Sequence, residues 1–357
     1  MRSNVLYIAN LTGACGLLSI VVMMNRRNAL YLLGGLVAGT GRVTACLWDR
    51  DTLKDDIATQ ASSLDLILGQ FPHHGETYYK LRIKRISKQE QLSILDHNDL
   101  AVAYVRVNDF ASAEKHLAEA LKMNPNQYET LSNIGVTAKK QGDFEKGAEY
   151  IKKALEIKPE GHMGLGDWYL KMLIWREKHE GTNEKNPPEQ NFIGIAYGDS
   201  FNEKYYGIEG LLPKGENAMH PAMMVKNDQT YADGFLVFGD HLREASHYHL
   251  AFLADTKAMM LGHQNPEAIR LRRRAYLRYH GTFPGVYGKK VRMSKPWTAG
   301  IAKAELMINH GVEWLEKFKE TESELLEGLD DERKVTFEMV EAKLLAKGVK
   351  KVRDVST

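Results

Sequence analysis

Apolar residues recur along most of this chain at the three- and four-residue spacing of an amphipathic helix. Residues 50–96 read as two or three helices, and Leu165 to Lys178 places Trp168, Met172 and Trp175 on one helical face. Helical periodicity resumes from about Gly234 to Tyr279. Within it, Tyr248 to Leu277 reads as a hairpin with a lengthened turn at Gly262 to Pro266, marked by Leu250, Ala251, Ala254, Ala268, Leu271 and Ala275. Pro296 to Leu325 and Asp331 to Val349 form two further amphipathic helices joined near Gly328, expected as a C-terminal cap. Trp297, Ile301, Ile308, Trp314, Leu315 and Phe318 mark the buried side of the first. Residues 181–233 break the pattern: they hold Pro187, Pro188, Pro213 and Pro221, and only Phe192 to Tyr197 suggests a strand. A stretch of that length without periodicity is a functional loop or a disordered insertion.

The central helices repeat at an offset of 34 residues. Leu100 aligns with Ile134, Ala101 with Gly135, Asp109 with Asp143 and Phe110 with Phe144; Leu117 aligns with Ile151, Ala120 with Ala154, Leu121 with Leu155 and Pro125 with Pro159. Small residues at Ala101, Gly135, Ala113, Gly147, Ala120 and Ala154 permit close helix approach, and the prolines end each unit. The turns Asn108-Asp109 and Gly142-Asp143 supply a helix stop followed by an N-cap. This pattern resembles two tandem tetratricopeptide repeats, at 94–127 and 128–161.

Two such units cannot bury a solenoid core alone, so the flanks are expected to be helical and to pack on them. The expected fold class is all-α: a hairpin array of the tetratricopeptide type with flanking helices and one long irregular insertion. Its organisation reads as a 1–45 leader, N-terminal helices at 46–93, and the two repeats. A divergent third-repeat helix at 162–180, the insertion at 181–233, a divergent helical repeat at 234–282 and the cap at 290–350 complete it.

The leader carries its own signal. Asn4 to Met24 is uncharged and largely apolar, long enough to span a bilayer. Arg26 and Arg27 then precede a shorter apolar run, Ala29 to Gly41, which matches the positive and hydrophobic regions of a secretory signal. Val43-Thr44-Ala45-Cys46 resembles the lipobox of bacterial lipoproteins, which implies lipid attachment at Cys46; Arg42 departs from that pattern. Translation from Met23 or Met24 would give a signal of ordinary length. The expected location is the cell envelope, as an outer-membrane lipoprotein facing the periplasm. The alternatives are a single-pass inner-membrane protein anchored by residues 4–24, or a plain cleaved signal.

Composition narrows the partners. An apolar fraction of 43% with 26% charged residues is that of a folded globular chain, and a net charge of +2 offers nucleic acid no electrostatic footprint. The two cysteines, Cys15 and Cys46, lie inside or just after the apolar N-terminus, so the rest of the body has no disulfide framework and no Cys-based metal site.

Chemistry is sparse. No phosphate loop, nucleophile elbow or dinucleotide fingerprint is present. In Asp240 to His249, helical spacing would put His241, Glu244 and His247 on one face, a weak candidate for metal ligation because no second Glu-x-x-His unit completes it. Arg270, Arg272, Arg273, Arg274 and Arg278 lie round one helix and read as a solvated surface, with anionic headgroups as the functional alternative. His73, His74, Tyr78 and Tyr79 read as packing and surface.

The resemblance implies a binding role. In tetratricopeptide repeats the first helix of each unit lines a concave groove. The matching positions are Leu95, Asn98, Val102, Val105 and Arg106 in the first unit, and Glu129, Ser132, Val136, Lys139 and Lys140 in the second. Asn98 and Val102 depart from the carboxylate-clamp pattern, which leaves an apolar strip edged by Arg106, Lys139 and Lys140, suited to an amphipathic or extended segment with an acidic rim. The expected function is a non-enzymatic scaffold of the bacterial cell envelope that binds a protein or peptide, without cofactor or nucleic acid. The alternative is a metal- or ligand-dependent enzyme built on the His241–His249 segment.

Overall fold

A computed structural model describes residues 62–161, 166–182, 185–197, 231–244, 247–280 and 296–352. The apolar leader, Cys46 and most of the insertion therefore lie outside the described residues. Within them the chain is all-α. No helix there is long and apolar enough to cross a membrane.

The two repeats take the expected register. Helices α1 (Ser63–Leu68) and α2 (Glu76–Ile86) precede them. The first repeat is α3 (Ile94–Arg106) with α4 (Phe110–Met123), and the second is α5 (Tyr128–Lys140) with α6 (Phe144–Ile157). Local chemistry repeats with them. Asp109 accepts a hydrogen bond from Ser112 N–H at 3.1 Å, and Asp143 from Lys146 N–H at 2.9 Å, each satisfying a donor at a helix start. Asn108 and Gly142, also 34 residues apart, both turn left-handed, at φ 61° and 88°. Ser93 and Asp96 close a reciprocal capping box at the head of α3.

Small residues then set how closely each hairpin closes. A Cβ on Gly135 would stand 2.8 Å from Ile151 Cγ1 and 2.9 Å from the Gly147 carbonyl, so the helices of the second repeat touch backbone to backbone. In the first repeat the same positions are Ala101 and Ala113, both buried.

Helix α7 (Gly166–Lys178) stacks on α6 as the first helix of a third unit. Among the described residues no second helix follows it in register. Residues 185–197 form an irregular turn instead, with only an isolated antiparallel bridge between Gln190 and Ala196 where a strand is expected. Helices α8 (Ala232–Glu244) and α9 (Tyr248–Met260) pair, and α10 (Pro266–His280) packs on α9.

The C-terminal helices correct the expected cap. The long helix α11 (Pro296–Leu326) packs not only on α9 and α10 but also on α1 and α2, at the beginning of the array, and α12 (Phe337–Ala346) packs on α11. The contact is close and polar as well as apolar. A Cβ on Gly311 would lie 2.3 Å from the Leu68 carbonyl. Buried Glu322 binds His74 Nδ1 at 2.5 Å through one oxygen and accepts from Gly75 N–H at 2.7 Å through the other. Arg85 grips Glu332 through Nε and Nη2. Trp314, Leu315 and Phe318 join Tyr78, Tyr79 and Ala103 in one apolar cluster. The chain thus turns back onto α1 and α2, and His74, read as packing and surface, takes the packing role as an interior clamp.

Candidate interaction surface

The repeat groove is not an open strip. Val102 and Val105 are each 1% exposed and Val136 4%, and all three belong to one cluster with Leu66 and Ile67 of α1, Phe235 and Phe238 of α8 and Phe252 of α9. Asn98 and Ser132 are also buried. Asn98 is consumed in a ladder between repeats: its Nδ2 donates to Thr130 Oγ1 at 2.9 Å, and its Oδ1 accepts from Asn133 Nδ2 at 3.0 Å. Lys139 lies against the chain too, its ammonium 4.5 Å from the centre of the Tyr231 ring, just before α8. These six expected partner contacts are interior positions. The physical reason is area: an apolar strip across two repeats is a large patch, and this chain has enough further helices to cover it.

What remains at the solvent boundary is the rim. Leu95 and Glu129, at equivalent positions near the starts of α3 and α5, are half-buried. At the other ends of those helices, Arg106 is half-buried and Lys140 exposed, again at equivalent positions. The Arg106 guanidinium sits 5.7 Å from the centre of the Tyr79 ring, which holds it in place. On the second helices of the repeats, Met123 and Ile157 also repeat in phase and are 53% and 44% exposed, an unusual exposure for large apolar side chains.

The most concentrated polar chemistry lies inside the C-terminal half. Arg272, expected at the surface, is buried and donates to Asp240 through Nε at 2.8 Å and Nη2 at 2.9 Å. Arg243 joins the same carboxylate at 2.9 Å and binds both oxygens of Asp255 at 2.8 and 2.7 Å. Burial raises the Asp255 pKa, opposed by the charge of Arg243. Beside this cluster Asp233 acts as a hub. It accepts from the Tyr197 hydroxyl at 2.6 Å, from His263 Nε2 at 2.9 Å and from Phe192 N–H at 2.7 Å. His263 Nδ1 accepts from Asn265 N–H at 2.9 Å, so the proton sits on Nε2 and points at Asp233. Burial, then the Asp233 charge, push the Tyr197 phenol well above its ordinary pKa, so it stays a donor.

These groups are bonded to one another, and all but the half-buried Arg243 lie in the interior, so they lock the local structure. They tie the irregular 185–197 segment to α8 and to the α9–α10 turn, helped by Trp175 Nε1 donating to the Gln190 carbonyl at 2.8 Å. Of the row of arginines, Arg270 and Arg274 are exposed and Arg272 and Arg273 buried.

The metal candidate also changes. Helix α8 ends at Glu244 and α9 begins at Tyr248, with His247 as its N-cap. His247 therefore lies outside the helix that carries His241, and the expected three-residue face does not form. His241 is buried near Trp168, its Nε2 has no hydrogen-bond partner, and burial lowers its pKa to about 4. Among the described residues no group of three or more His, Cys, Asp or Glu is placed to hold a metal ion.

A comparison with protein families agrees with the repeats. The family model described as Coatomer epsilon subunit, a helical family of the tetratricopeptide-like type, matches residues 85–163. That span runs from the last turn of α2 through the end of the second repeat. No curated protein and no solved structure matches the chain.

Proposed function

We propose that this chain is a protein-binding scaffold whose repeat rim, rather than the interior of its groove, meets the partner. The observation that supports the reading most is the phase of the two repeats at the solvent boundary: Leu95 with Glu129 at one edge, Arg106 with Lys140 at the other. Two cations at the same position of successive repeats suit an acidic segment crossing the array, because each can meet a carboxylate with regular spacing. The likeness of residues 85–163 to the coatomer epsilon subunit family supports a protein partner in the same way, since that family is named for a subunit.

The test is affinity capture from membrane and soluble extracts with the tagged chain, read by mass spectrometry, beside Arg106→Glu/Lys140→Glu. A partner held by the parent and lost by the variant, with the helical circular-dichroism signal unchanged, supports the rim. The same partner held by both moves the contact elsewhere.

The cellular setting we propose is the bacterial cell envelope, with lipid on Cys46, resting on the Val43-Thr44-Ala45-Cys46 pattern and the apolar run before it. A single acyl chain anchors only reversibly, so stable attachment requires multiple acylation. Expressed in a Gram-negative host, the parent should partition into detergent and Cys46→Ser into the aqueous phase. A mature protein that begins at Met1 contradicts this and favours residues 4–24 as a membrane anchor.

A further inference from the structure

The two repeats differ at one pair of positions where the second is apolar. In the second repeat Leu131 and Tyr150 meet in a cluster with Tyr128, Leu121 and Ala154. The equivalent residues of the first repeat are His97 on α3 and His116 on α4. Packing between the two helices does not require imidazoles there, since the second hairpin closes without them.

The histidines face each other. Their Nδ1 atoms are 3.0 Å apart and their ring centroids 5.2 Å. Tyr104 stacks on His116 with 5.5 Å between centroids and an interplanar angle of 11°, which fixes that ring. Two imidazoles meeting through the same nitrogen hold at most one proton between them, so at least one lone pair points into the gap. Burial lowers the pKa of both groups, and the neighbouring His97 lowers that of His116 further, so both are neutral near pH 7. Neutral imidazole is the form that binds metal.

The spacing fits an ion. Metal–nitrogen bonds of about 2.0–2.1 Å put two nitrogens on one tetrahedral or square-planar ion roughly 2.9–3.4 Å apart. The observed 3.0 Å lies within that interval. No third His, Cys, Asp or Glu stands in place beside the pair, so a further protein ligand has to swing in. Glu119 lies one turn beyond His116 on α4, and its charge acts on both rings. Its present partner is the exposed Lys122, at 2.7 Å, a pairing that holds it weakly. Asp96, the other carboxylate acting on His97, is committed to the Ser93 capping box.

We propose that His97 and His116, joined by a rotation of Glu119, bind a divalent transition-metal ion of the zinc, nickel or copper class. Water completes the coordination, and the ion staples α3 to α4 at the edge of the first repeat.

The experiment titrates the full chain with Co(II) and then Zn(II), beside the double variant His97→Leu/His116→Tyr. That variant carries the residues the second repeat uses, so its hairpin can still pack. The parent should take up one Co(II) per chain, with visible d–d absorption that Zn(II) abolishes, and Zn(II) should raise its thermal midpoint. The double variant should show neither effect, and Glu119→Gln should bind roughly tenfold or more weakly. His116→Gln, which keeps a polar side chain, is the second variant and should also lose the ion. Absence of saturable binding in the parent overturns the proposal, as does binding of undiminished affinity in His116→Gln or the double variant.

Discussion

Replacing Arg272 by methionine tests whether the C-terminal half is locked as its geometry says. The side chain is 1% exposed and makes two hydrogen bonds to Asp240, with Nη1 also donating to the Ala268 carbonyl at 3.1 Å. With arginine present, Asp240 and Asp255 face Arg243 and Arg272, two charges against two. Methionine leaves two buried carboxylates sharing Arg243, and an unpaired buried charge of this kind costs about 3–5 kcal/mol. Removing both partners, as in Arg272→Met/Asp240→Leu, leaves no orphan, so the pair of changes should cost well under the sum of the single ones. Urea unfolding followed by tryptophan fluorescence gives these numbers, since Trp168 and Trp175 lie against the 185–197 segment. The pH dependence has a defined sign. Asp255 already has a raised pKa, so its folded carboxyl takes up a proton before the unfolded one does. Stability lost to the unpaired carboxylate is recovered as pH falls through that raised value. The deficit of Arg272→Met should therefore shrink as the pH is lowered from neutrality. A cost under about 1 kcal/mol, or a double variant as unstable as the sum of its parts, would refute the reasoning.

Three further sets of substitutions address packing. Val102→Asp or Val136→Asp puts a charge at a position 1% or 4% exposed, and should abolish the cooperative thermal transition; a folded, unchanged protein would mean the groove is open. Ala154→Leu or Ala120→Leu adds volume at fully buried contacts and should cost roughly 1–3 kcal/mol in urea unfolding, with an unchanged midpoint counting against the repeat register. Gly311→Ala would drive a Cβ into the Leu68 carbonyl, so α11 should loosen from α1 and its amides should exchange hydrogen faster; parent-like protection of α1 would contradict the close crossing.

The repeats were legible because their determinants are local and duplicated. Asn108 and Gly142 turn the chain, Asp109 and Asp143 cap the second helix of each hairpin, and Ala101/Ala113 and Gly135/Gly147 set the crossing. The covering of the groove was not legible, since Val102 and Val136 are apolar whether a partner or the same chain lies over them. Arg272 and Arg274 look alike in sequence, and only the distant Asp240 distinguishes them. The segment 185–197 reads as irregular because its order comes from Asp233, Asn265 and Trp175 rather than from its own periodicity. A signal was available: Asp233, Asp240 and Asp255 interrupt otherwise apolar helices, and buried carboxylates require partners. The break between α8 and α9 left no glycine or proline to announce it.

The central claim is that the chain fills its own repeat groove and leaves only the rim to a partner. Thiol labelling tests it most directly, in a background with Cys15 and Cys46 replaced by serine. Single cysteines at Val102, Val136 and Lys140 are then reacted with a maleimide under native conditions. Cysteine in place of Lys140 should react at the rate of an unfolded chain. At Val102 and Val136 the thiol should react about a hundred-fold more slowly or less, as expected when exposure needs an opening that costs roughly 3 kcal/mol. Equal rates at all three positions would show an open groove and contradict the account.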